Sequence, residues 1–329
     1  MGRRERRQPW PRLGSRLRSR RCLPPLHSRP QGRRRGRPLR DRCTGQRKGM
    51  EEPEPEAPAV ETVEAVEVAA AVVVASSYLD ELVPYLVLLG NTLLFALVRR
   101  LAFRVSPLKW RLAVSEAIGT WELCSDVAEL GIVYERHGVW AYALALLVCC
   151  VWWCRAFGDA EACPCGPIED MLFAIGPGDY RARLLGELLG GVLTAMYIKF
   201  IWSWHLIPEH KTMATTECQT SLMVSPGKGA LIEGLITCVS RFVAMRSIYW
   251  TDNVSTAINS ITTVILVLVA LTTTGGYFNP IMASALMLGC AGSTTTEHFA
   301  VYWAGALMGG FIGRWLDVRL EYAIKEKYA

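Results

Sequence analysis

The stretch "GGYFNPIMASALMLGC", residues 275–290, places Asn279 and Pro280 directly after an apolar run, 254–274, that is long enough to cross a bilayer. Proline suits the first position of a helix, where its missing N–H leaves no carbonyl unpaired, and an Asn before it can accept from the N–H groups of the first turn. The residues after Pro280 therefore read as a short apolar helix capped by Asn279. A second stretch, "RAFGDAEACPCGPIEDML" at 155–172, follows the greasy "VCCVWWCRA" and carries Cys163, Pro164 and Cys165. By residue type alone it supports three readings: a thiol or metal site shared with Cys149, Cys150 and Cys154, a helix opened by proline, or a loop with incidental thiols. Zinc sites usually come as two C-x-C or C-x-x-C pairs at set spacing, and the chain has no second such pair.

Composition narrows the class. The 329 residues are 51% hydrophobic, with a mean hydropathy of +0.21, high for a soluble protein. Residues 1–49 hold 18 Arg and Lys against Glu5 and Asp41, so the net charge of +6 describes neither that leader nor the acidic remainder. The leader has no apolar period and cannot bury enough surface to fold, and it lacks the apolar core of a signal peptide. Its charge would suit nucleic acid or anionic lipid. The abrupt change to "MEEPEPEAPAVETVEAVEV" at Met50 instead favours an upstream leader dispensable for the main function. Residues 50–77 read as an acidic disordered segment.

From residue 82 the chain reads as membrane, with apolar stretches near 82–98, 112–132, 138–157, 184–204, 230–248, 254–274 and 299–317. Carboxylates in two of them organise the reading: Glu116, Glu122, Asp126 and Glu129 in one, Glu233 in the other. Charges inside a membrane are costly and should face the protein interior beside partners. A repeat organises them. Glu116 and Thr120 share their spacing with Glu233 and Thr237, and Pro164 lies 48 residues after Glu116 as Pro280 lies 47 after Glu233. Each unit reads as span, span, proline-started short helix, span. Three crossings per unit invert the second relative to the first. Short helices entering from opposite faces then meet with their positive N-terminal ends at the midplane, which repels cations and admits neutral dipolar molecules. In that setting the Asn279 amide is free to donate into a pore.

These residues resemble the major intrinsic protein (aquaporin) family, with its two Asn-Pro-Ala boxes, a Glu in the first span of each half, and six spans with two half helices. Here the boxes are Cys163-Pro164-Cys165 and Asn279-Pro280-Ile281. Such degenerate boxes, with Cys290 nine positions after Ile281, are similar to the unorthodox superaquaporin subfamily, as are "EAIGTWELCSDVAEL" (116–130) and "FAVYWAGALMGG" (299–310). The resemblance covers residues 78–318. It implies an all-α membrane protein of aquaporin fold, an inverted repeat of three transmembrane helices plus one half helix, with an extra N-terminal hydrophobic segment. The implied boundaries are 78–104 for that segment, 112–205 and 230–318 for the two halves, 206–229 for their connection and 319–329 for a cytosolic tail.

The resemblance also implies a passive channel, not an enzyme, embedded in the lipid bilayer as a homotetramer. It would pass water and small neutral solutes such as glycerol and hydrogen peroxide, exclude ions, and use no cofactor, metal or nucleic acid. Glu116 and Glu233 would support the half-helix loops, a catalytic acid pair being the alternative. Counting from the boxes puts Ala143, or its neighbour Tyr142, with Val267, Gly276 and Met282 at the selectivity filter, where Met282 replaces the family's Arg. The basic residues Arg99, Arg100, Arg104, Lys109 and Arg111 face the cytosol by the positive-inside rule. The final "KEKYA" places Lys325 and Lys327 in a pattern that resembles an endoplasmic reticulum retrieval address. A non-conducting scaffold of that membrane is the alternative function.

Overall fold

The computed structural model describes residues 63–173 and 179–328, with side chains from Tyr78 to Lys327. The expected leader at 1–49 and the acidic stretch as far as residue 62 lie outside the described residues. The regular elements are helical: α1 (Val63–Val105), α2 (Arg111–Ala156), α3 (Cys165–Phe173), α4 (Tyr180–Trp202), α5 (Pro208–Thr215), α6 (Pro226–Ser247), α7 (Asp252–Ala270), α8 (Pro280–Met287), α9 (Thr295–His298) and, after a π turn at Phe299–Gly305, α10 (Ala306–Tyr328). The fold is the all-α aquaporin fold.

Among the described residues, four helical segments are long and apolar enough to cross a membrane: Tyr78–Val105, Leu108–Ala156, Tyr180–Trp202 and Asp252–Ala270. The second is two crossings joined at Gly138, whose φ of 80° breaks the helix and favours glycine. The 22-residue α6 and 23-residue α10 are also of crossing length but carry Arg241, Arg246 and Arg314. In each half the first and third crossings meet at glycines. A Cβ at Gly186 or Gly190 of α4 would collide with the α2 carbonyls of Ala113 and Ala117. At Gly305, Gly309 or Gly313 it would collide with Ala230, Gly234 and Cys238 of α6. Small residues at every fourth position bring transmembrane helices close enough for dispersion to hold them without a hydrophobic driving force.

The helix α1 departs from expectation at its start. Its backbone is helical from Val63, so residues 63–77, read above as disordered, belong to it; the run "VEAVEVAAAVVV" sets four Ala and two Glu, strong helix formers, among its Val. The helix ends at Val105, next to the expected boundary at residue 104. It packs along the core through a buried stripe, Pro84, Leu88, Asn91, Phe95 and Arg99, at helical spacing. Opposite it, Glu122, Asp126 and Glu129 of α2 form a buried acidic row. Arg99 pairs with Glu122, which also accepts from Trp152 Nε1 at 2.8 Å. Asn91 donates to Asp126 at 3.0 Å, Trp153 donates to it at 3.1 Å, and Tyr197 of α4 donates to Asn91 at 2.7 Å. Glu129 meets His210 of α5 at 3.0 Å. Phe95, Trp121 and Tyr197 pack edge to face around this row, with centroids 5.1 to 5.8 Å apart.

At the start of the last crossing, Thr294 and Glu297 form a capping box. The N–H of Thr294 holds the Glu297 carboxyl below its ordinary pKa. The helix α10 then continues unbroken through the expected tail, 319–328.

Breaking a buried ion pair strands a charge, whereas removing both partners does not. Arg99→Met should lower stability by about 3–5 kcal/mol. Arg99→Met combined with Glu122→Met should recover most of that loss. Thermal unfolding of the purified proteins in detergent measures both values; equal stability of the single variant and wild type would mean that α1 is not anchored by this pair.

Candidate functional site

Two loops must run through the membrane interior to deliver α3 and α8, and their backbone N–H groups have no water to bond. Each loop is met by one buried carboxylate. Glu116 accepts from Glu161 N at 3.0 Å and Ala162 N at 2.9 Å. Glu233 accepts from Tyr277 N at 3.2 Å, Phe278 N at 2.7 Å and the Thr274 hydroxyl at 2.5 Å. Both carboxylates are fully buried. In each loop the bonded N–H groups belong to the two residues before the box. The second of these, Ala162 with φ 52° and Phe278 with φ 32°, has left-handed backbone, uncommon for residues other than glycine. The carboxylates thus hold a turn the chain would not otherwise favour.

That turn aims the two boxes at each other. Asn279 Nδ2 donates to the Ala162 carbonyl at 2.7 Å, and Cys163 Sγ lies 3.9 Å from the Phe278 carbonyl. The residue before each box thereby offers its carbonyl to the box residue of the other half. Pro280 occupies the first turn of α8, Asn279 Oδ1 accepts from Met282 N at 3.2 Å, and Ile281 is buried behind it. In the first half Pro164 sits one place earlier: its carbonyl accepts from Ile168 N, and the helix begins at Cys165, which is buried. One expectation changes here: the Asn279 amide is not wholly free for a pore, because it ties the two loops together. Glu116 has a cationic partner, Arg183 of α4, which donates to it at 2.6 Å and to the Asp159 carbonyl at 3.0 Å.

Beside the boxes runs a cavity of about 610 Å³, lined by α2, α6, α7 and both loops. Val267, Gly276, Met282, Asn279 and Cys163 all line it. From the second crossing Tyr142, the alternative to Ala143, lines it and Ala143 does not. Tyr142 packs edge to face on Tyr134, centroids 5.8 Å apart, so the cavity wall there is aromatic. At one end the cavity is polar, with Ser240, Asn259, Ser260 and Arg241 in its wall. Arg241 is held by Glu169 at 2.8 and 3.1 Å and by Glu161 at 3.3 Å, so its charge is neutralised locally.

Residues that sequence reading passed over include Arg183, Glu187 and Arg241. Glu187 and Arg241 are charges inside apolar runs, the signal that identified Glu116 and Glu233, and Arg183 stands at the edge of one. Glu187 is fully buried on α4. Cys290 forms a disulfide with Cys218, joining the segment before α6 to the residues after α8. Cys124, Cys149, Cys150, Cys154, Cys163, Cys165 and Cys238 are free. Among the described residues no cluster of three or more His, Cys, Asp or Glu could hold a metal ion. Lys325 is exposed on α10.

Glu116→Gln and Glu233→Gln keep the shape but offer one oxygen where the carboxylate offers two. Each should destabilise the protein by about 1–3 kcal/mol per stranded N–H. Amide hydrogen exchange at 161–162 and 277–278 should rise in the corresponding variant. Unchanged exchange in both would remove the carboxylates from this supporting role.

No family model matches the chain. Curated proteins do. The chain is 29% identical over 204 residues to aquaporin-11 of Milnesium tardigradum, a match covering 61% of this chain and 74% of that one. It is 24% identical over 200 residues to aquaporin-11 of Equus caballus, covering 60% and 73%. It is 25% identical over 209 residues to aquaporin-11 of Rattus norvegicus, again covering 60% and 73%.

Proposed function

The chain belongs to the superaquaporin branch of the aquaporin family, and on that premise we propose that it is an intracellular channel passing water and small uncharged solutes, including glycerol and hydrogen peroxide, while excluding ions. The observation that carries this reading is the reciprocal tie between the boxes, Asn279 to Ala162 and Cys163 to Phe278, beside a cavity that continues past both. Two helix N-termini, each equivalent to roughly half a positive charge, converge there and oppose a cation. At the filter, Tyr142, Val267, Gly276 and Met282 present an apolar and aromatic wall with no fixed charge, which suits a carbon-bearing neutral solute better than a filter built around Arg. A desolvated ion of either sign finds no ligand at that wall.

The proposed topology puts the turn between α1 and α2, the CPC loop and the C-terminus in the cytosol. The Cys218–Cys290 bridge then lies on the opposite side, and disulfides persist in oxidising compartments such as a secretory lumen. A membrane of the endoplasmic reticulum meets that condition, and the Lys325 and Lys327 pattern is the proposed address. Changing both lysines to Ser should move a tagged protein out of that membrane by fluorescence microscopy; an unaltered distribution would mean the tail is not the address. A homotetramer is the proposed assembly.

Purified protein in vesicles, followed by light scattering under water and glycerol gradients and by a peroxide-sensitive dye inside, tests the channel. All three influx rates should exceed those of protein-free vesicles. Met282→Arg should lower glycerol influx at least fivefold while lowering water influx less, because a long cation both narrows the filter and favours the smaller dipole. Rates at the protein-free level for every solute, from protein shown to be folded, would favour the scaffold role.

A further inference from the structure

The segment 218–223, which no motif singled out, brings Ser221 to the cavity and is fastened at several points. The Cys218–Cys290 disulfide fixes its start. Thr220 N donates to the Ala291 carbonyl at 2.9 Å, and Ala291 N donates to the Cys218 carbonyl at 2.9 Å. Met223 N donates to the Thr273 carbonyl at 2.8 Å. Leu222 packs on the buried cluster of Ala283, Met287, Val301 and Tyr302. The underlying backbone is shaped to receive it. Gly275 and Gly292 have φ of 90° and 97°, and a Cβ on them would stand 2.9 Å from Ser221 Cβ and from Thr220 Cγ2. Either glycine is therefore required twice, by its own dihedral and by the segment above it.

This fastening places a hydroxyl beside Val267, Gly276 and Met282, whose side chains offer none. Ser221 is half-buried and lines the same cavity as Met282, Val267 and Tyr142; its Oγ lies 3.2 Å from the hydroxyl of Tyr277, another lining residue. One O–H donates to the other, which leaves the second hydrogen and the spare lone pairs of both oxygens for a passing solute. Because Met282 stands where the family's filter has Arg, this pair adds a polar contact beside Met282, Val267 and Gly276.

We propose that Cys218–Met223 is a specificity-determining strap, pinned by the Cys218–Cys290 bridge, and that it presents Ser221 with Tyr277 as the hydrogen-bonding station for small hydroxylated solutes at the channel mouth. This rests on the channel reading above. A polyol entering an apolar filter must exchange several water contacts for protein ones, while a water molecule needs fewer, so the station favours the polyol.

Two measurements on the full chain test it. Peptide mapping without reductant should recover Cys218 and Cys290 in one cross-linked peptide, and reduction should raise amide exchange of 218–223 and 290–292 at least tenfold. Alkylation of both thiols before any reductant is added would overturn the anchoring. In vesicles, Ser221→Ala and Tyr277→Phe should each lower the ratio of glycerol to water permeability at least threefold. The Cys218→Ser/Cys290→Ser double variant should fall to the Ser221→Ala value by releasing the strap. A conducting wild type whose ratio is the same in all three variants would overturn the strap alone, whereas a wild type at the protein-free rate would overturn the channel reading together with it.

Discussion

Two carboxylates buried in the membrane interior make the rest of this architecture possible. A bilayer offers no partner to a free N–H, so a chain that stops halfway across must satisfy its own turn. Glu116 and Glu233 do this for Glu161 and Ala162 and for Tyr277 and Phe278, and they hold Ala162 and Phe278 in a conformation such residues rarely adopt. Without those contacts neither half helix would point its N-terminus at the other, and the cavity beside Cys163 and Asn279 would have no reason to stay open. The glycine seams between α2 and α4 and between α6 and α10 serve the same end, because they bring each carboxylate's helix against the third crossing of its half.

The two halves solve one problem with different chemistry. Glu233 has the hydroxyl of Thr274 and backbone donors around it, whereas Glu116 has Arg183, a cation. The second box uses an amide that spans both loops; the first uses a thiol, a weak donor, for the corresponding contact. Substituting Asn by Cys in the first box thus keeps the reciprocal tie while weakening one arm of it, so a degenerate box does not by itself imply a collapsed pathway.

Much of this was legible in the sequence because a membrane makes polar residues conspicuous. The nearly equal spacings from Glu116 to Pro164 and from Glu233 to Pro280, 48 and 47 residues, pointed to the repeat, the inversion and the half helices, and the comparisons support the family. Val267, Gly276 and Met282, counted from Asn279, line the cavity, whereas the count from Cys163 reached Ala143, the neighbour of the lining residue Tyr142. Which of two neighbours faces the cavity depends on the rotation of their helix, which a count along the chain does not give. The partner of Cys290 was hidden for another reason: Cys218 lies 72 residues away in a connection with no periodic pattern. The depth at which α1 joins the core was also hidden. Arg99 reads as one of a basic cluster after a span, and only the packing against Glu122 shows it as the buried end of a stripe.

The central claim is that two converging half-helix N-termini pass neutral molecules and stop charged ones. Simultaneous measurement of osmotic water permeability and proton leak in vesicles of the purified wild-type protein tests it most directly. The account requires water permeability at least tenfold above protein-free vesicles with proton leak indistinguishable from theirs. Proton leak that rises in step with water permeability would contradict it.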